Sequence, residues 1–249
     1  MINFSKISNK GFIGKILRKI LNTFPKPEVI IIFQGPLRGY KWVRTSGVSG
    51  YWLGTYELEQ QKVFEKYIKK GDVVYDVGAH AGFYTLLASQ LVGEFGTVIA
   101  FEPNEKNFSY LEKNIRINKR NNIKTVKSAV SDHDGKSFFK MGENTSSGSI
   151  TKINTGIEVL STTIDKFVQT QDRLPSFMKI DVEGAEALVL SGSLNTIKEH
   201  LPKIFIAIHN DGAYGECKKI FDGIDYKLIS TGKKNEVVGE YMAIYNESL

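Results

Sequence analysis

Val73-Val74-Tyr75-Asp76-Val77-Gly78-Ala79-His80-Ala81-Gly82 is the stretch on which the fold turns. Its first five residues are mostly β-branched or aromatic and predict a short buried strand. The two glycines that follow predict a tight turn opening a helix. In open α/β sheets, ligands sit beyond the carboxyl ends of the strands. Asp76 is therefore placed to attract a cationic amino group, and Gly78 and Gly82 to let the backbone approach a ligand closely. The spacing is Gly-x-x-x-Gly, which departs from the Gly-x-Gly-x-x-Gly dinucleotide fingerprint. The purely structural reading is a turn whose glycines serve packing alone.

Downstream, strands and helices alternate. A helical stretch covers residues 81–91, a strand Thr97–Phe101, a helix runs through Asn118, and a third strand covers Lys124–Val130. Later apolar strands are Phe177–Asp181 and Lys203–His209. Tyr226–Ser230 and Tyr241–Tyr245 flank a polar turn and predict a terminal hairpin. This pattern predicts an α/β, Rossmann-like sheet, mostly parallel and covered on both faces, closed by a C-terminal antiparallel hairpin. Residues 132–157, rich in Gly, Ser, Asn and Thr, predict a hairpin and loop beside the binding crevice.

Upstream, residues 10–24 space Phe12, Ile13, Ile16, Leu17, Ile20, Leu21 and Phe24 as one face of a helix, with Lys10, Lys15, Arg18 and Lys19 between them. Pro25 and Pro27 end it. Packing on the body or on a second subunit is its bland role; contact with an anionic membrane surface is the sharper one. Residues 28–53 predict short strands broken by Gly-rich turns, and Tyr56–Lys70 a helix stopped by Gly71. The chain thus divides into an N-terminal extension, residues 1–55, and a binding body, residues 56–249.

The net charge of +6 is uneven. Residues 1–44 hold nine Lys and Arg against Glu28 alone, or +8, which leaves −2 for the remaining 205 residues. A body near neutrality offers little to a nucleic acid. The single cysteine, Cys217, excludes an intrachain disulfide and suits a reducing cytoplasm. The sequence shows neither an apolar run of membrane-spanning length nor a signal-peptide pattern. The expected location is the cytoplasm, with peripheral contact at the inner membrane face open to the N-terminal helix.

Further acids follow other strands. Glu102, 26 positions after Asp76, can accept hydrogen bonds from both hydroxyls of a ribose. Its bland alternative is a helix N-terminal acid before Pro103. In Met178-Lys179-Ile180-Asp181-Val182-Glu183-Gly184-Ala185-Glu186, Asp181 and Glu183 can enter the same crevice as base, metal ligand or anchor for a cation. Glu186 reads equally well as a helix N-terminal acid. His209 ends its strand at the crevice edge and can titrate near neutrality. Tyr40, Trp42, Tyr51, Trp52 and Tyr56 predict either a stacking wall or, slightly favoured, a small core. Glu57 can cap the next helix or reach the crevice.

The chain resembles the FkbM family of S-adenosylmethionine-dependent methyltransferases over roughly residues 56 to 210. The resemblance rests on Asp76 to Thr85, Ala100 to Asn104, Asn107-Phe108 with Leu111 and Asn114-Ile115, Ala129 to Asp132 with Gly135, Thr163 to Asp165 with Phe167, and Lys179 to Glu186. It implies a class I methyltransferase sheet and, usually, O-methylation of a hydroxyl on a sugar, glycan, lipid or natural product. Asp76, Gly78 and Gly82 would surround the methionine part of the donor, Glu102 would take the ribose, and Ser128–Asp132 would lie by the adenine. The donor-binding set becomes Asp76, Gly78, His80, Gly82, Glu102, Asn104, Ala129, Asp132 and Asp181. Family members often carry an acid two residues before the histidine; here that position is Ala207.

Methyl transfer to a hydroxyl needs positioning and assistance with proton loss. His209 is the expected base, with Asp181 and Glu183 binding or orienting. Mg²⁺ or Mn²⁺ would suit these ligand types but is not required. The expected partner is a small-molecule or glycan acceptor. A non-catalytic S-adenosylmethionine-binding module is the first alternative. A nicotinamide-dependent oxidoreductase is disfavoured by the glycine spacing. A base-methylating enzyme is disfavoured because no Asn/Asp-Pro-Pro-aromatic run follows the strand at Asp181.

Overall fold

A computed structural model describes residues 27–141, 148–151, 156–232 and 237–248. The expected helix over residues 10–24 lies outside them. The chain opens with β1 (Val29–Ile31) and β2 (Lys41–Val43), an antiparallel pair, then α1 (Ser49–Leu53) and α2 (Leu58–Tyr67). There follow β3 (Val73–Val77), α3 (Phe83–Val92), β4 (Thr97–Phe101), α4 (Glu105–Ile117), β5 (Ile123–Val126) and β6 (Ala129–Val130). Next come β7 (Gly135–Met141), β8 (Gly148–Thr151), β9 (Ile157–Thr162), α5 (Ile164–Phe167) and β10 (Phe177–Ile180). The chain ends with α6 (Glu186–Ser191), α7 (Leu194–His200), β11 (Lys203–Ile208), α8 (Asp211–Asp222), β12 (Tyr226–Ser230) and β13 (Gly239–Tyr245).

Seven strands form one sheet in the order β12-β13-β11-β10-β3-β4-β5. Only β13 runs against its neighbours. This is the α/β, mostly parallel sheet expected, with its C-terminal hairpin. Because both faces are covered, the central strands are apolar on both sides. Tyr75 and Val77 of β3 meet Ile206 and Ile208 of β11 in one core, whereas Val74 and Phe205 face the other. The second core also takes Ile32, Leu37, Trp42 and Tyr51. The described part of the N-terminal extension is thereby packed into the body's own interior, the bland of the two readings for Trp42.

Two local expectations change. The run Lys124–Val130 is not one strand: β5 stops at Val126, the Ser128 N–H turns back to the Val126 carbonyl, and β6 pairs in parallel with β9 instead. The Ser128 hydroxyl is bonded to the Leu160 carbonyl, which draws the chain out of the main sheet. β6, β9, β7 and β8 form a separate sheet of which β7–β8 is the expected hairpin. Residues 28–53, expected as short strands and turns, also contain a helix, α1, which Gly54 ends in the left-handed conformation. Among the described residues, no helix is long and apolar enough to cross a membrane.

Candidate functional site

A cleft opens beyond the carboxyl ends of β3, β4 and β10, where α/β topology places ligand sites. Its floor is the turn after β3. Gly78 holds φ +80°, and a Cβ there would lie 2.0 Å from the Asp181 carbonyl oxygen. The β3 and β10 turns can touch only because this residue has no side chain. Gly82 also has positive φ, but its absent Cβ would strike Leu111 of α4. Its need is for helix packing, not for approach to a ligand, and it does not line the cleft.

Asp76 differs from expectation. It is 1% exposed, and its register partner across the sheet is Lys179 of β10. The Lys179 ammonium stands 3.1 Å from Asp76 Oδ1, and Thr85 Oγ1 donates to Asp76 Oδ2 at 2.6 Å. Asp76 thus already faces a cation of its own chain, while its Oδ1 has no hydrogen-bond partner. Lys179 also donates to the Gly78 carbonyl at 2.9 Å and lies 3.6 Å from Asp181 Oδ2. Sequence reading passed over Lys179 because an ammonium inside an apolar strand is explained only by the strand beside it.

Glu102, buried at the end of β4, lines the cleft. Main-chain N–H groups of His80 and Asn104 donate to its two oxygens, each at 2.8 Å. Burial pushes its carboxyl up to about 7, against these bonds. His80 adopts φ +50° and lines the cleft; burial lowers its imidazole, and its Nδ1 is buried without a hydrogen-bond partner. Asn104 spends its side chain on capping α4, accepting from the Asn107 N–H at 3.0 Å. Ala129 lines the cleft beside Ser128 and Val130, and offers it only backbone. Asp132 is exposed, lies 2.8 Å from the His133 ring and is outside the lining, which departs from the donor-binding role expected of it.

The opposite wall carries the acids. Asp181 and Glu183 both line the cleft. His209, just beyond β11, comes within 3.5 Å of Asp181 and 3.7 Å of Glu183 through Nε2. Its Nδ1 lies 2.7 Å from Glu186 Oε1, a fully buried carboxylate that also accepts from the Gly184 N–H. Glu186 thus orients the histidine in a chain that has Ala207 where an acid was looked for. Burial alone would lower the His209 imidazole. The bond to Glu186 and the charges of Asp181 and Glu183 outweigh it and push the group up to about 9. That direction favours the imidazolium, a balancing charge, over the base expected of His209. Glu183, with φ +54°, has its carboxyl raised by burial, against the lowering charge of His209 and with smaller contributions from Asp181 and Glu186. Among the described residues, no group of three or more His, Cys, Asp and Glu side chains is arranged to hold a metal ion.

The third wall comes from the N-terminal extension and α3. Tyr51, Tyr56 and Tyr84 line the cleft, with ring centroids 4.3 Å apart for Tyr51 and Tyr56. Glu57, at the start of α2 with φ +44°, makes no capping bond and instead accepts from the Tyr84 hydroxyl at 2.7 Å. Asn114, buried in α4, fixes this wall: it accepts from the Val43 N–H and donates to the Ala81 carbonyl, each at 2.9 Å.

A family model described as the methyltransferase FkbM domain matches residues 76–234. No curated protein sequence matches the chain. Among solved structures, the chain is similar to methyltransferase FkbM from Methylobacillus flagellatus KT, at 17% identity and TM-score 0.54, over 74% of this chain and 50% of that one. It is also similar to the putative methyltransferase yhhF from Escherichia coli, at 12% identity and TM-score 0.51, over 88% and 99% of the two chains. A putative rRNA-methylase from Clostridium thermocellum matches at 13% identity and TM-score 0.50, over 74% and 91%. At these identities the likeness is one of fold. The chain spans half the length of the Methylobacillus protein.

Proposed function

This chain belongs to the FkbM methyltransferase family, and from that premise we propose that it moves the methyl group of S-adenosylmethionine to a hydroxyl oxygen of a sugar, glycan, lipid or natural product. The observation that carries the reading is the meeting, in one cleft, of a buried acid suited to a ribose and a separate pair of crevice carboxylates backed by a histidine. The residues present fit the donor. Glu102 is pinned by two N–H groups, which leaves lone pairs for hydroxyl donors. The His80 Nδ1 is an unmatched buried polar atom beside it. When bound, S-adenosylmethionine supplies a methyl carbon already activated by a sulfonium.

The protein's own groups then divide the work. Glu102 would accept from the ribose hydroxyls, and the backbone of Ser128–Val130 would border the adenine. Asp181, which lines the cleft, would face the donor's cationic end, while Asp76 neutralises Lys179. Glu183 receives the proton of the acceptor hydroxyl, because its raised carboxyl binds a proton more readily than an ordinary glutamate. His209, held charged by Glu186, balances the two carboxylates and fixes their positions. The tyrosine wall, which lines the same cleft as these acids, would border the acceptor.

The test is methyl transfer from labelled S-adenosylmethionine to a panel of glycans, lipids and small hydroxyl compounds, with the product's linkage read by mass spectrometry. A methyl ether is expected. Methylation confined to nitrogen would overturn the acceptor assignment, and failure to bind S-adenosylhomocysteine would overturn the whole reading.

A further inference from the structure

Outside the cleft, one face of the molecule combines exposed apolar side chains with uncompensated positive charge. Ile31 and Phe33, at the edge of the small β1–β2 sheet, are 62% and 63% exposed. They stand two residues apart, and Ile31 lies directly opposite exposed Lys41 in the antiparallel register, so their side chains share a face. Cations stand to one side of this pair, beyond β2. The main chain of Lys41 is tied on both sides to the Asn118 amide, at 2.8 and 2.7 Å, which brings the end of α4 against β2. Arg116 and Lys119 are exposed there, and the Arg120 guanidinium lies over the Tyr40 ring. Residues 27–44 and 112–120 hold seven Lys and Arg against Glu28 and Glu112, a net +5 on a protein whose whole charge is +6. Glu28 is already paired with Lys113.

Solvation makes this pattern unfavourable for a surface that meets only water. Large apolar groups on an edge strand invite association, and like charges packed together repel. Both costs are relieved by an anionic lipid surface: the apolar groups enter the headgroup boundary while lysines and arginines meet lipid phosphates. The face is also continuous with the cleft. The Phe33 N–H donates to the Trp52 carbonyl of α1, and Val48, at the other end of α1, is 53% exposed and lines the cleft.

We propose that the Ile31/Phe33 edge and the cations beside it on β2 and the end of α4 form a docking surface for an anionic membrane, which holds the mouth of the cleft at headgroup level. Presentation of membrane-borne hydroxyls to the site is a consequence that rests on the proposed reaction. The docking itself does not, and is measured without donor or acceptor.

The full chain is sedimented with vesicles of phosphatidylglycerol mixed into phosphatidylcholine, and with vesicles of phosphatidylcholine alone. Binding is expected only to the former, and is expected to fall as salt is raised. The variant Ile31→Glu/Phe33→Glu is expected to weaken it by roughly tenfold or more, through lost insertion and added repulsion. Lys41→Glu/Arg120→Glu should weaken it without touching the apolar pair. Neither variant alters a residue placed in the cleft, so calorimetry with S-adenosylhomocysteine checks that each remains folded. Equal binding by wild type and Ile31→Glu/Phe33→Glu would assign membrane contact to residues 1–26 and overturn the proposal. So would absence of binding to anionic vesicles, or concentration-dependent self-association abolished by the same substitutions, which would make the face an interface between copies of this chain.

Discussion

Replacing Glu186 with Gln isolates the electrostatics of the acid–histidine cluster. The amide keeps the shape of the carboxylate and the two bonds that its Oε1 accepts, from the Gly184 N–H and the His209 ring, while the buried charge disappears. In the wild type, burial lowers the imidazole and the surrounding carboxylates raise it, with a balance near 9 against an ordinary value of 6.5. That difference sets a ceiling of about 3 kcal/mol for the preference of the folded state for the protonated ring. The His209 side chain is 32% exposed, so solvent screening reduces the realised value to about 1–2 kcal/mol. Glu186 supplies part of it and Asp181 and Glu183 the rest. Glu186→Gln is therefore expected to lower the His209 midpoint by about one pH unit and to destabilise the protein by about 1 kcal/mol at pH 6. The sign follows from linkage. A histidine raised in the folded state contributes its full stability below 6.5, loses it as pH climbs towards 9, and contributes none above. The gap between wild type and variant should thus stay open below the variant's midpoint, about one unit under 9, and close between the two midpoints. Imidazole proton NMR gives the midpoint and urea denaturation the stability. A wild-type His209 that titrates at or below 6.5, or a midpoint unmoved in the variant, would refute the imidazolium assignment and return the histidine to the role of base.

Glu102→Ala is expected to weaken S-adenosylhomocysteine binding by about 1–3 kcal/mol in calorimetry, the range for leaving buried polar partners unmatched. Because the free carboxyl sits near 7, wild-type affinity should rise as pH passes from 6 to 8, and the variant should lose that dependence. Lys179→Met leaves Asp76 as a buried charge without its cation, and denaturation should show a loss of about 3–5 kcal/mol. Adding Asp76→Asn should recover much of it; a double variant no more stable than Lys179→Met would show that the pair is not the reason for the loss.

The sequence by itself determined the sheet. Apolar runs such as Val73–Val77 and Phe177–Ile180 have nowhere to go but between two layers of helix, and helical periods between them dictate parallel crossovers. Topology alone then carries Glu102, Asp181, Glu183 and His209 to one edge, because strand ends are legible and their direction is shared. Where local chemistry competes with pattern, legibility ends. Lys124–Val130 looks continuous as a string of residues, yet the chain leaves the sheet after Val126 because β9, distant in sequence, offers new partners. Only the tertiary structure decided which acids are spoken for. Asp76 and Lys179 are over a hundred residues apart, and their cancellation depends on the β3–β10 register. Glu186, which the sequence offered equally as a helix cap, reaches His209, 23 residues on and past β11. Charge and proton affinity are set by burial and by neighbours across the fold, and these are properties of packing that no single segment carries.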